Sequence, residues 1–196
     1  QLDTININTE EKFMEVFKAN SQINIEGNLK SGKTTLAKYL CLVLADEYVP
    51  LLLSEESFGA KNNKNIIKYA LEEQFGLDTD CDEYLQLDKE KKVLIVDRND
   101  RVNKEKWDSF IEEYENQFGH IILLCGVDWN INIKEKALEE LEEKEVLYLK
   151  ICPFYYAKRA ELIQKVCESF DDRKTSDTNE IVYKINEEIT NQIRYF

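Results

Sequence analysis

Gly27-Asn28-Leu29-Lys30-Ser31-Gly32-Lys33-Thr34-Thr35 is the stretch on which the reading of this chain turns. It is a full G-x-x-x-x-G-K-[ST] pattern, and the chemistry asks for each residue type at its place. Glycines at 27 and 32 let backbone N–H groups curl around a phosphate without Cβ clashes. A helix starting near Lys33 aims the positive end of its dipole at the same anion. Lys33 reaches toward β- and γ-phosphates, and the Thr34 hydroxyl is a ligand for Mg²⁺. The candidate phosphate-binding residues are therefore Gly27, Asn28, Leu29, Lys30, Ser31, Gly32, Lys33, Thr34 and Thr35. The competing interpretation is a glycine-containing helix N-terminus with a surface lysine. The flanks argue against it: Ile23-Asn24-Ile25-Glu26 reads as a strand. Lys33 to about Tyr48 reads as a helix, with Leu36, Ala37, Leu40, Cys41, Val43 and Leu44 covering most of its sides.

Moving outward, Thr9 is a helix cap, with Glu10 and Glu11 in the first turn and Phe13, Met14 and Phe17 on one face. Val49 to Leu53, Val93 to Val96 and Ile121 to Leu124 are short continuous apolar runs, the pattern of strands buried on both faces. Pro50 suits the first residue of an edge strand better than a central one. Helical stripes lie between the runs: Ile66, Ile67, Ala70, Leu71 and Phe75 before Gly76, then Trp107, Phe110, Ile111, Tyr114 and Phe118 before Gly119. A fifth strand spans Val146 to Ile151. Alternating strands and helices predict an α/β fold with a parallel sheet. After Pro153 the pattern turns helical, so residues 1–152 read as a nucleotide-binding domain and 153–196 as the start of a helical lid or second domain. The missing initiator Met, and the ending at Arg194-Tyr195-Phe196, read as a piece of something longer.

Composition narrows the field. A chain of 196 residues is close to the ~150 expected of one domain. Thirty-nine acidic against 26 basic side chains give a net charge of −13, which disfavours nucleic acid as a partner. No apolar run is long enough to span a membrane, and the N-terminus lacks a signal peptide. Five scattered cysteines without a C-x-x-C pair read as buried thiols of a cytoplasmic protein, not as a disulfide framework or zinc site. His120 lacks a partner motif and reads as structural, as do Trp107 and Trp129. The acidic run from Glu139 to Glu145 reads as a solvated helix face.

A second chemical signal is Val93-Leu94-Ile95-Val96-Asp97, a strand ending in an acid. An aspartate so placed holds Mg²⁺ through water in phosphate-loop proteins. Asp100 is a candidate to polarise an attacking water, although Arg98 stands directly after Asp97, where many such ATPases carry their catalytic acid. The candidate catalytic residues are thus Lys33, Asp97 and Asp100, and the candidate metal ligands Thr34 and Asp97. A third signal is Cys152-Pro153-Phe154, followed by Arg159, Leu162 and Ile163.

Together, the phosphate loop, the hhhhDxxD strand, the fourth strand running into Cys125-Gly126-Val127-Asp128, and the strand-Pro-Phe-helix segment resemble the STAND class of P-loop NTPases. These are relatives of NACHT and NB-ARC modules, and the likeness is greatest to the bacterial ones fused to effector domains. The resemblance covers about residues 20 to 170. It implies a three-layer sandwich with strand order 5-1-4-3-2, Asp97 one strand removed from Gly27, and a helical lid. It implies ATP or ADP and Mg²⁺ as cofactors, maps an adenine-contacting proline onto Pro153, and implies a slow nucleotide-gated switch in signalling or defence. Other domains of a parent chain and nucleotide-dependent self-association are the implied partners. Arg98, and Asp128 where many relatives have an arginine, depart from the pattern and point away from brisk hydrolysis. A non-hydrolysing nucleotide scaffold and a small-molecule P-loop kinase are the alternatives. A GTPase is disfavoured, because Asn103-Lys104-Glu105-Lys106 is not N-K-x-D and Asp97-Arg98-Asn99-Asp100 is not D-x-x-G.

Overall fold

Strand β3 (Lys92–Asp97) shows most directly how the sequence builds the fold. Its side chains alternate across the sheet, so the four consecutive apolar residues Val93 to Val96 need a core on both faces. Val93 and Ile95 enter one core, Leu94 and Val96 the other, and all four are fully buried. The computed structural model describes residues 7–54, 56–59, 62–77, 80–97, 104–126, 146–152, 160–162, 164–165 and 183. The chain divides into two compact units, Gln1–Ile151 and Cys152–Phe196. In the second, residues 160–162, 164–165 and 183 are helical; the rest of the expected lid, Pro153 included, lies outside the described residues.

In the first unit, helix α1 (Glu10–Ala19) precedes β1 (Gln22–Glu26), α2 (Lys33–Leu44) and β2 (Val49–Leu53). A 3₁₀ turn (Glu56–Gly59), α3 (Asn63–Phe75) and the short α4 (Cys81–Gln86) lead to β3. Then come α5 (Lys104–Tyr114), β4 (His120–Cys125) and β5 (Val146–Lys150). The sheet is parallel at every pairing, in the order β2-β3-β4-β1-β5. This is the α/β architecture and the 5-1-4-3-2 order expected from the sequence. One face packs on α1 and α2 through Phe13, Phe17, Ala37, Leu40 and Leu44. The other packs on α3, α4 and α5 through Ile66, Ile67, Leu71, Tyr84, Phe110 and Tyr114.

Helix termini follow local chemistry. Thr9 caps α1 and Asn62 caps α3, each accepting a backbone N–H three residues on. Gly76 ends α3 with φ 107°, as the stripe before it predicted. Several details differ from the expectation, among them that α5 ends at Tyr114, short of Phe118. Helix α2 stops at Leu44 instead of Tyr48, because Leu44 O accepts both Glu47 N and Tyr48 N and the chain turns into β2. The short α4, capped by Asp80, was not foreseen. Phe75 sits half-exposed (51 %) at the end of its stripe instead of in the core. His120 is structural, as expected: its Nδ1 lies 3.0 Å from Asn20 O and its ring packs on Phe17.

Strand β2 is the sheet edge, which explains why Pro50 is tolerated as its second residue. The free edge is closed by one side chain. Gln74 of α3 accepts Leu52 N–H (2.9 Å) and donates to Pro50 O (2.7 Å), so its amide stands where a neighbouring strand's peptide group would be. Replacing it, Gln74→Leu, is expected to cost about 1–2 kcal/mol through the two lost hydrogen bonds. The bared edge should also associate with concentration; urea unfolding and sedimentation equilibrium measure the two effects.

Candidate functional site

The loop after β1 is shaped by backbone constraints before any side chain acts. Gly27 N donates to Cys125 O (3.0 Å), extending the β1–β4 ladder by one residue before the chain leaves the sheet. Gly27 is buried, and a Cβ there would lie 2.4 Å from Ser31 Oγ, 3.0 Å from Ile151 Cδ1 and 3.1 Å from Lys33 Cγ. Ser31 N then turns back to Asn28 O (3.1 Å). Lys30 (φ 60°) and Gly32 (φ 89°) are left-handed, a pair of backbone reversals of the kind that builds anion-binding loops.

Helix α2 starts at Lys33 with Gly32 as its N-cap, so no side chain closes its first turn, and that turn carries no acid. By contrast α1, α3 and α4 are each capped by an oxygen side chain. The open N–H groups of α2 and its dipole are thus left for an external anion. Two side chains add to this. Ser31 Oγ is buried without a hydrogen-bond partner. Lys33 Nζ folds back onto Gly27 O and Asn28 O, each at 2.9 Å, and forms no ion pair among the described residues. Orphaned N–H groups, an orphaned hydroxyl and a cation held only by carbonyls fit a bound phosphate.

Asn28, Leu29, Lys30, Ser31, Gly32, Lys33 and Thr34 line a cleft of about 1450 Å³, together with Asp97. Gly27 lies buried outside that lining, and Thr35 is exposed outside it. Asp97 ends β3 and pairs with Leu124 of β4, whose other neighbour is β1. One strand therefore separates the acid from the phosphate loop. Hydroxyl and carboxylate oxygens are hard donors of the kind Mg²⁺ takes, and Thr34 and Asp97 open into the same cleft. Arg98, Asp100, Asp128, Pro153 and Arg159 lie outside the described residues.

The cleft also contains residues that motif reading did not single out: Lys38, Ser54, Glu56 and Gly126. A positional signal was available for them. Ser54 and Gly126 follow the last residues of β2 and β4, at the carboxyl ends where open parallel sheets bind ligands. Lys38 lies one turn beyond Thr34 on α2. Cys41 also faces the cleft, but burial pushes its thiol up to about 11, so it is an unreactive neutral group. Cys41, Cys81, Cys125 and Cys152 form no disulfide; Cys152 is exposed, unlike the buried thiols expected.

No protein-family model and no curated protein matches this sequence. Solved structures do. The fold is similar to that of the Aeropyrum pernix ORC2 protein, determined as ADPNP-ADP complexes, with a TM-score of 0.51 at 15 % identity over 81 % of this chain and 50 % of that one. C. elegans PCH-2 gives a TM-score of 0.49 at 14 % identity over 89 % of this chain and 52 % of that one. The FIGL-1 AAA domain in complex with ADP gives 0.46 at 14 % identity over 87 % and 57 %. The chain spans about half the length of the first two. With the strand order and the loop above, the ORC2 likeness establishes an α/β P-loop NTPase fold.

Gly32→Ala tests the loop geometry directly. There is open space for the methyl group, so the penalty comes from the left-handed backbone alone and should be about 1–2 kcal/mol. Thermal unfolding measures it; an unchanged melting temperature would contradict the loop conformation.

Proposed function

We propose that this chain is an ATP- and ADP-binding, Mg²⁺-dependent P-loop module, a slow nucleoside triphosphatase that serves as a switch of the STAND type within a larger signalling or defence protein. The observation that carries the reading is the uncapped start of α2, with Ser31 Oγ unpartnered and Lys33 held, among the described residues, only by loop carbonyls, in one cleft with Asp97. No helix among the described residues is long and apolar enough to cross a membrane.

In this reading free backbone N–H groups of the loop and of the first turn of α2 bind the phosphates. Lys33 Nζ exchanges its two carbonyl acceptors for β- and γ-phosphate oxygens, a charge-assisted contact. Thr34 and Asp97 would hold Mg²⁺, which supplies neutralisation of the phosphate charge when bound. Pro153 is the residue proposed to cover the adenine, and Asp100 the sequence's candidate to polarise water. Arg98 after Asp97 is the reason to expect slow turnover.

Lys33→Ala should weaken ATP binding 10- to 150-fold, the loss of about 1.5–3 kcal/mol from one charge-assisted contact. Calorimetric titration with ATP and Mg²⁺ measures it, and an unchanged affinity would sink the assignment of residues 27–35.

Asp97→Asn should reduce the gain in ATP affinity on adding Mg²⁺ while leaving metal-free binding nearly unaltered. Titrations with and without the metal separate the two, and equal Mg²⁺ dependence in both proteins would remove Asp97 from the metal site. ATP should outcompete GTP in the same assay.

A further inference from the structure

Attack on a terminal phosphate is assisted by a residue that orients the attacking water, in many P-loop ATPases a carboxylate, and Arg98 stands where such an acid commonly follows the strand. Among the described residues three acids line the cleft: Asp97, Glu73 and Glu56. Asp97 is taken up by the proposed metal site. Glu73 belongs to α3, next to the Gln74 clasp on the outer edge of β2. Glu56 remains.

Its position follows from sheet register. Leu53 of β2 pairs with Val96 of β3, so Ser54 continues alongside Asp97, with neighbouring strands about 4.8 Å apart. Glu56 opens the 3₁₀ turn two residues later. Glu56 lines the same cleft as Asp97 and Lys38. Lys38 lies one turn along α2 from Thr34. Glu56 thus belongs to the segment that leaves the sheet beside Asp97, and it opens into the cleft that Thr34 and Lys38 also line. Ser54 is itself fixed, because its N–H donates to Ser57 Oγ (3.2 Å), and Ser57 is fully buried. The Glu56 carboxyl is held below the ordinary glutamate range, first by its own backbone N–H and then by Ser54, so it is ionised and can accept a hydrogen bond from water.

We propose that Glu56, in place of Asp100, is the catalytic carboxylate that orients the attacking water, with Ser54 as its positioning residue. The inference rests on the nucleotide reading above. Water oxygen forms a bond to the γ-phosphorus while the bond from that phosphorus to the β–γ bridging oxygen breaks, its electron pair leaving on ADP. Glu56 takes one water proton and passes it to solvent; the other stays on the inorganic phosphate.

The test uses the full chain with Mg²⁺ and reads two quantities: single-turnover ATP hydrolysis, and the affinity for ADP with fluoroaluminate, a transition-state analogue, against ADP alone. Glu56→Gln should keep ADP affinity within about threefold, lower turnover by about 10²–10⁴, and lose the extra affinity that fluoroaluminate confers. Glu56→Ala should recover part of its rate with added formate, which a purely structural role would not allow. Ser54→Ala should give a smaller loss of both quantities, and Glu73→Gln should change neither. A Glu56→Gln protein that binds ADP normally yet keeps its turnover and its fluoroaluminate gain overturns the role of Glu56 while leaving the nucleotide reading intact. A wild-type chain that binds neither ATP nor ADP overturns both.

Discussion

A parallel sheet buried on both faces is the constraint from which the rest of this structure follows. Because every pairing in the β2-β3-β4-β1-β5 sheet is parallel, all five carboxyl ends lie along one edge, and each chain exit there must be a loop. Helices from two cores cover both faces, so that edge is the place where polar groups can collect without being buried unpaired. The phosphate loop after β1, Ser54 after β2, Asp97 at the end of β3 and Gly126 after β4 share one cleft for this reason.

The electrostatics of the cleft are local. A chain of net charge −13 is a poor anion receptor taken as a whole, yet the start of α2 is built for one. Exposed charges are screened beyond about 8 Å at physiological ionic strength, so distant carboxylates weigh little against N–H dipoles in direct contact. The protein leaves those dipoles without an internal acid: the other well-described helices receive a capping oxygen, and α2 receives Gly32. Lys33 likewise takes neutral carbonyl partners, which an incoming phosphate can replace without first breaking an ion pair.

The same local logic explains which structural details were readable from residues alone. Helix starts with Thr9 and Asn62, and the stop at Gly76, are decided within a few residues, by a cap oxygen or a positive φ. The end of α2 was not readable, since Leu36 to Leu44 shows no breaker and the helix ends where the chain must turn into β2. Helix α4 is too short to display a stripe, although Asp80 is an ordinary cap. Phe75 continues the buried periodicity of α3, but α3 passes the sheet edge before reaching it, and Gln74, not Phe75, meets β2.

By itself the sequence determined the phosphate loop, the apolar run ending in Asp97 and the α/β class, because each is a property of consecutive residues: glycines where the backbone reverses, and continuous apolar strands that must be covered twice. The family resemblance supplied the strand order, which pairing within the sheet then established. Only the tertiary structure decided that Gln74 closes the edge of β2, and that Ser54 and Glu56 share a cleft with Asp97. Those placements depend on register between strands some forty residues apart, Leu53 against Val96, and on the side of the sheet each helix packs against. Such pairings are selected by the energy of the whole packed sheet, and no short stretch of residues contains it.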